Sequence, residues 1–209
     1  MKKVLIFGTN AEAPYHPLNR VKKYFESALS DSFDVYFSDD INDLRLLSSG
    51  EFTAAISYFD LWNENIPDYA VSMIRTFISV GGGFIIIHNG ISLQGDREFR
   101  EISGAEFSGH PPYQKISYKV SKNHFITETI DDFSLREEPY TFNFFNIESF
   151  TVLIDSISED GTSSPALWIK ECEKGRIAYF APGHDEKTFE KAEVGNLILR
   201  ITQWCSTNA

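Results

Sequence analysis

The chain has 209 residues, 42% of them hydrophobic, and carries 30 acidic against 19 basic residues for a formal net charge of −11. That charge disfavours phosphate backbones and anionic membranes, and no basic cluster is richer than Lys22-Lys23, so neither nucleic acid nor membrane is an expected partner. The length suits a single domain over residues 1–209 with one sizeable core.

The N-terminus, Met1-Lys2-Lys3-Val4-Leu5-Ile6-Phe7, imitates a signal peptide. Its apolar run stops after four residues, short of the roughly 7–15 that an h-region needs. Val4 to Phe7 therefore reads as a buried first strand and the protein as cytoplasmic. A loop from Gly8 to Tyr15 leads to His16-Pro17, which opens a helix with Leu18, Val21, Phe25 and Leu29 on one face. Strands are predicted at Phe33 to Phe37 and Phe52 to Tyr58. After a loop from Phe59 to Ile66, a helix opened by Pro67 buries Ala70, Met73 or Ile74, and Phe77. It stops at Gly81-Gly82-Gly83, and Phe84 to Ile87 forms a fourth strand, apolar without alternation, as in a parallel strand covered on both faces. This alternation predicts an α/β fold, a doubly wound sandwich with a mostly parallel central sheet.

Residues 91 to 165 change character. Short β-like runs at Ile116 to Val120, Tyr140 to Phe145 and Thr151 to Ser156 suggest an antiparallel extension. Lys170 to Gly175 reads as a polar turn, Arg176 to Phe180 as a resumed parallel strand, and Thr188 to Cys205 as a closing helix. Cys172, in the turn, and Cys205, in the helix, form neither a disulfide framework nor a zinc-binding pair, and neither sits in a nucleophile-like turn.

Ligands of open α/β sheets bind beyond the carboxyl ends of the strands. Three of the five histidines fall there: His16 after the first strand, His88 after the fourth and His184 after the late one. His88, with Gly90 two residues on, occupies the elbow where related architectures carry a nucleophilic Ser or Cys. His110 lies in the rigid turn Gly109-His110-Pro111-Pro112-Tyr113, and His124 has the weakest local case for a site. Two chemistries fit converging imidazoles. Three or four of them with a carboxylate make a zinc- or manganese-type centre, for which His88, His110 and His184 are the expected ligands. Without a metal, one imidazole serves as general acid or base near neutral pH.

The ordered motifs Gly81 to Gly90, Gly109 to Tyr113, Asn123 to Thr127, Glu137-Glu138-Pro139-Tyr140, Pro165 to Trp168 and Gly175 to Asp185 resemble the trehalose-utilization (ThuA-like) family of the class I glutamine amidotransferase-like superfamily. The resemblance runs from the first strand to Gln203-Trp204. It implies a flavodoxin-like three-layer sandwich and a role in carbohydrate metabolism, with a small-molecule sugar as ligand and a sugar dehydrogenase as functional partner. A homo-oligomer is compatible with it. The polar positions it carries over are His88, His110, His124, Glu138 and His184. The family reads Asp-Glu-x-Tyr where this chain has Glu137-Glu138-Pro139-Tyr140, so the second carboxylate matches and the first is lengthened.

One expectation is thus an enzyme acting on a sugar or keto-glycoside by isomerisation, elimination or hydrolysis. His88, Glu138 and His184 are its catalytic candidates, and His16, Asn89, Tyr113 and Asp185 its substrate contacts. Tyr58 and Trp62 are further stacking candidates. The alternative is a non-catalytic sugar- or protein-binding module, motivated by the missing nucleophile. The same absence argues against a glutamine amidotransferase, which needs a thiolate at the elbow.

Overall fold

In the computed structural model, residues 1–11, 13–62 and 66–207 are described. Parts of the predicted loops Gly8 to Tyr15 and Phe59 to Ile66 lie outside them. In chain order the elements are β1 (Lys2–Gly8), α1 (Leu18–Leu29), β2 (Phe33–Ser38), β3 (Phe52–Tyr58), α2 (Tyr69–Ser79), β4 (Gly83–Ile87), α3 (Arg97–Ser103), β5 (Ala105–Gly109), β6 (Gln114–Val120), β7 (Phe133–Glu137), β8 (Thr141–Phe144), β9 (Thr151–Ile157), β10 (Ser163–Cys172), β11 (Gly175–Phe180), α4 (Glu186–Phe189) and α5 (Ala192–Cys205). The main sheet has strand order β2-β1-β3-β4-β11-β10-β9-β6-β7, and β5 and β8 form a separate pair. From β2 to β11 all neighbours run parallel, while β10, β9, β6 and β7 add antiparallel strands.

The parallel half follows from the sequence pattern. All five residues of β4 are buried, and β1 and β3 are buried over their last five, because helices cover both faces. Helices α1 and α5 pack together, with α5 against β3, β4 and β11, while α2 and α3 also contact each other and β11. The α2 core face uses Ala70, Ile74 and Phe77 with Val71 and Ile78, so the buried alternative is Ile74, not Met73. The large aromatic content is spent inside: Trp168, Tyr58, Tyr118, Tyr179 and Phe180 are almost wholly buried.

Three elements differ from expectation. Helix α3 went unpredicted although its ends carry ordinary signals, Asp96 accepting from the Glu98 and Phe99 amides and Gly104 closing it at φ 77°. The predicted closing helix is two helices. Asp185 caps α4, and Lys191 is extended (φ −79°, ψ 129°), so the chain turns before α5 begins. Cys172 ends β10 instead of lying in a turn. It pairs with Gly175, and the hairpin needs only Glu173-Lys174, with Glu173 left-handed at φ 56°.

The direction of the antiparallel strands decides which motifs reach the rim where the parallel strands end. Strand β6 starts at that rim and finishes at the opposite edge, and β7 returns to it. His110 and Tyr113, before β6, and Glu137 and Glu138, at the end of β7, therefore arrive at the rim. His124, beyond the far end of β6, does not.

Candidate metal centre

His88 sits directly after β4 with φ +46°, a left-handed conformation that is costly for a residue with a side chain. Glycines make this turn fit. A Cβ on Gly90 would stand 1.9 Å from the Ser57 carbonyl oxygen, and one on Gly183 would stand 2.8 Å from the His88 Cβ. The imidazole is wholly buried and stacks on the Tyr140 ring with centroids 4.1 Å apart. Its Nδ1 is 2.7 Å from the Ala181 carbonyl, which can only accept, so Nδ1 carries the proton and Nε2 keeps its lone pair. Nε2 faces Glu138 Oε2 at 3.5 Å but makes no well-formed hydrogen bond to any described residue.

His16, just before α1, is oriented in the same way. Its Nδ1 is 3.2 Å from Asp60 Oδ2, a buried carboxylate just past β3. With the proton on Nδ1, Nε2 accepts, and it lies 3.0 Å from His184 Nδ1. That same His184 nitrogen is 3.2 Å from Glu138 Oε2. One atom from each of His16, His88, Glu138 and His184 thus falls within 4.8 Å of the others.

The electrostatics leave His88 and Glu138 ready to ligate, whereas His184 would first have to lose a proton. Burial lowers the His88 pKa to about 4 against the opposing contact with Glu138, so the ring is neutral at physiological pH. Burial alone would raise the Glu138 carboxyl, but the His184 and His88 contacts outweigh it and hold the group well below the usual carboxylate range. Burial likewise opposes the charge on His184, and Glu138 overrides it, raising that imidazole.

Beneath the centre, Glu137 is fully buried. Its carboxylate accepts from the Gly183 amide (3.2 Å), the His184 amide (3.1 Å), the Thr188 hydroxyl (2.6 Å) and the Glu138 amide (3.3 Å). It ties β7 to the turn that presents His184. Burial pushes its pKa up to about 7 against those donors.

The arrangement revises the expected site. His110 does not join the cluster. It is exposed at the mouth, its Nε2 3.7 Å from Glu138 Oε1 and its Nδ1 2.9 Å from the Pro111 carbonyl, so its own turn holds it outward. His16 occupies the ligand-like position instead of a substrate-facing one. Asn89 is fully buried and donates to the Tyr58 and Phe59 carbonyls, which makes it a tie between the elbow and β3 and not a sugar contact. Tyr58 is buried, its hydroxyl donating to the Gly183 carbonyl, and Trp62 packs on Phe107. Tyr113 donates to Asp185 Oδ2 at 3.1 Å, and the two form a polar lip beside His184. His124 packs edge-on against Trp204, away from the centre. Sequence reasoning missed Asp60 as an orienting group and Tyr140 as the His88 platform. A carboxylate two residues past the buried strand β3 was the signal for the first.

Asp60 and the Ala181 carbonyl take the place of the outer partners that fix ligating histidines. Asp60→Asn is expected to weaken zinc affinity by about 10–100-fold with the fold intact, read by competition against a chromophoric chelator. Unchanged affinity would mean that His16 is not a ligand.

The fold and the rim together define an α/β sandwich protein with an imidazole–carboxylate centre where a nucleophile elbow would stand. The chain belongs to the ThuA family, described as trehalose utilisation, whose profile matches residues 3–205 and which links the chain to carbohydrate use. A ThuA-like protein of Parabacteroides merdae ATCC 43184 is 16% identical with a TM-score of 0.79, over 99% of this chain and 90% of that one. A ThuA-like protein of Bacteroides uniformis ATCC 8492 is also 16% identical, with a TM-score of 0.79 over 98% and 91%. A β-galactosidase from Bacillus circulans sp. alkalophilus has a TM-score of 0.65 at 14% identity, with 99% of this chain matching 31% of that one. At these identities the likeness is one of fold. No curated protein matches the chain. Among the described residues, no helix is long and apolar enough to cross a membrane.

Proposed function

We propose that the protein transforms a sugar ketone, a keto-sugar or keto-glycoside, at this centre by isomerisation, elimination or hydrolysis. The observation that carries the reading is the meeting of three imidazoles and one carboxylate, from four separate segments, within 4.8 Å at the rim. The donors also fit a divalent ion. Ligands placed tetrahedrally at about 2.0–2.1 Å stand roughly 3.4 Å apart. Three of the six separations are 3.0, 3.2 and 3.5 Å and the others lie within 4.8 Å, and the buried His88 Nε2 has no hydrogen-bond partner among the described residues.

His16, His88, Glu138 and His184 would hold the ion. Zinc or manganese bound there supplies Lewis-acid polarisation of the sugar carbonyl. The protein's groups do the rest. Asp60 and the Ala181 carbonyl keep the Nδ1 protons in place, so both Nε2 lone pairs point inward. Glu138 contacts His184 and His88 through Oε2 and stands 3.7 Å from His110 Nε2 through Oε1, so a proton at the centre would reach the exposed imidazole through one bridging water. The Tyr113 and Asp185 oxygens offer acceptors to sugar hydroxyls. A partner sugar dehydrogenase would supply the ketone.

Elemental mass spectrometry of untagged protein, before and after chelation, tests this. About one ion per chain is expected, restored by added zinc or manganese after chelation. Protein that holds none and takes none up would leave a non-catalytic sugar-binding module.

A further inference from the structure

A second feature adjoins the centre. A cleft of about 680 Å³ opens between β7, β6 and the α4–α5 turn, lined by Tyr113, Lys115, Arg136, Lys187, Glu190 and Lys191. Four cations line one cleft of a chain whose net charge is −11. None of the four makes an ion pair with a described carboxylate, which is also true of seven cations elsewhere; what sets these four apart is that they share one cleft. The nearby carboxylates bond other groups than the four cationic heads. Glu190 accepts from the Tyr24 hydroxyl at 3.0 Å, and Glu159 accepts from the Lys115 backbone amide at 3.3 Å.

The cationic face is built by the sheet. Strand β7 alternates buried and exposed, so Leu135 and Glu137 turn inward while Ser134 and Arg136 turn outward. Lys115 lies directly opposite Arg136 in the β6–β7 register. Like charges in facing positions destabilise a strand pair. The Arg136 guanidinium is placed over the Tyr113 ring, 5.5 Å from its centroid, before any ligand arrives. The Tyr113 ring also stands 5.5 Å, centroid to centroid, from His184. Thr188, on the cleft wall, bonds Glu137 beneath the centre. The cleft and the centre therefore share a wall one residue thick.

We infer that this cleft is an anion-binding subsite that seats the phosphate or carboxylate of a sugar ligand whose carbonyl end reaches His184 past Tyr113. The inference rests on the sugar-ketone reading above and narrows its substrates to sugar phosphates or sugar acids.

The test is calorimetric titration of the full chain, first with inorganic phosphate or acetate, then with a hexose phosphate, a hexonate and the neutral hexose. Wild-type protein is expected to bind phosphate or acetate saturably, and R136E/K187E at least tenfold more weakly. Both side chains are exposed, so an unchanged circular dichroism spectrum and melting temperature verify the variant's fold. The better anion identifies the source: a hexose phosphate tighter than phosphate, or a hexonate tighter than acetate, with the neutral hexose weakest. No saturable anion binding, equal binding by the variant, or an anionic sugar no tighter than its bare anion would each overturn the proposal. Metal content measured on the same samples separates the two readings. A metal-loaded protein without anion binding sinks only the cleft, and anion binding by a protein that takes up no metal sinks only the centre.

Discussion

Glu137→Ala is expected to lower the unfolding free energy of the metal-free protein by about 4 kcal/mol, the largest single effect on stability. The change leaves the Gly183 and His184 amides and the Thr188 hydroxyl without their acceptor in a buried site, at about 1–3 kcal/mol for each orphaned group. Urea titration in chelator reads it. A loss under about 1 kcal/mol would show that water or a neighbour replaces the carboxylate. Glu137→Gln keeps the volume and isolates the charge. The carboxyl titrates near 7 in the folded chain against an ordinary 4.5, so its stabilising contribution is full below pH 4.5 and is lost as pH rises through 7. His88 has the opposite sign. Its folded value of about 4 lies below the ordinary 6.5, so its contribution is full above pH 6.5 and is lost as pH falls through 4. Each is worth about 3 kcal/mol, and they offset one another between pH 4.5 and 6.5. Glu137→Gln should therefore uncover a rise in stability from pH 4 to 6.5, and His88→Asn a fall from pH 4.5 to 7. Identical pH profiles for Glu137→Gln and wild type would show that this carboxyl is not held up by burial.

His88→Ala is expected to empty the metal centre and to reduce turnover of a keto-glycoside by at least about 10²-fold, the scale of losing a positioned catalytic group. His110→Ala is the contrasting variant. Its ring lies outside the four-donor cluster, so the ion should remain while proton exchange through Glu138 slows. Metal content by mass spectrometry and steady-state kinetics on the same preparations separate the two. Retention of the ion by His88→Ala would remove the elbow from the centre, and full activity of His110→Ala would remove the proposed proton route.

The parallel half of the fold was legible because its strands advertise their burial. Val4 to Phe7, Phe52 to Tyr58 and Phe84 to Ile87 are apolar runs bounded by turn residues, and the helix faces repeat at helical spacing. The antiparallel half was read only coarsely. Its strands are partly exposed, and α3, which precedes them, has seven residues, too few for a periodic signal. The elbow histidine was legible for a local reason, as a polar residue ending a buried run before a glycine. Glu137 was harder to read, since adjacent carboxylates do not reveal which one the pleat turns inward. Strand β7 buries residues 133, 135 and 137, and that alternation sends Glu137 beneath the centre and Arg136 to the cleft.

From the sequence alone came the α/β class, the run of parallel strands and three histidines following strands that end on one side of a sheet. Those features depend on local periodicity and on the rule that such sheets place their ligands beyond the carboxyl ends of their strands. Which side chains meet was a tertiary matter. His16, His88, Glu138 and His184 come from segments separated by up to 168 residues, and strand direction, not spacing, brought Glu138 to the rim and carried His124 away from it. The tautomers of His16 and His88 were likewise set only in three dimensions, because the Asp60 carboxylate and the Ala181 carbonyl that hold their protons are distant in the chain.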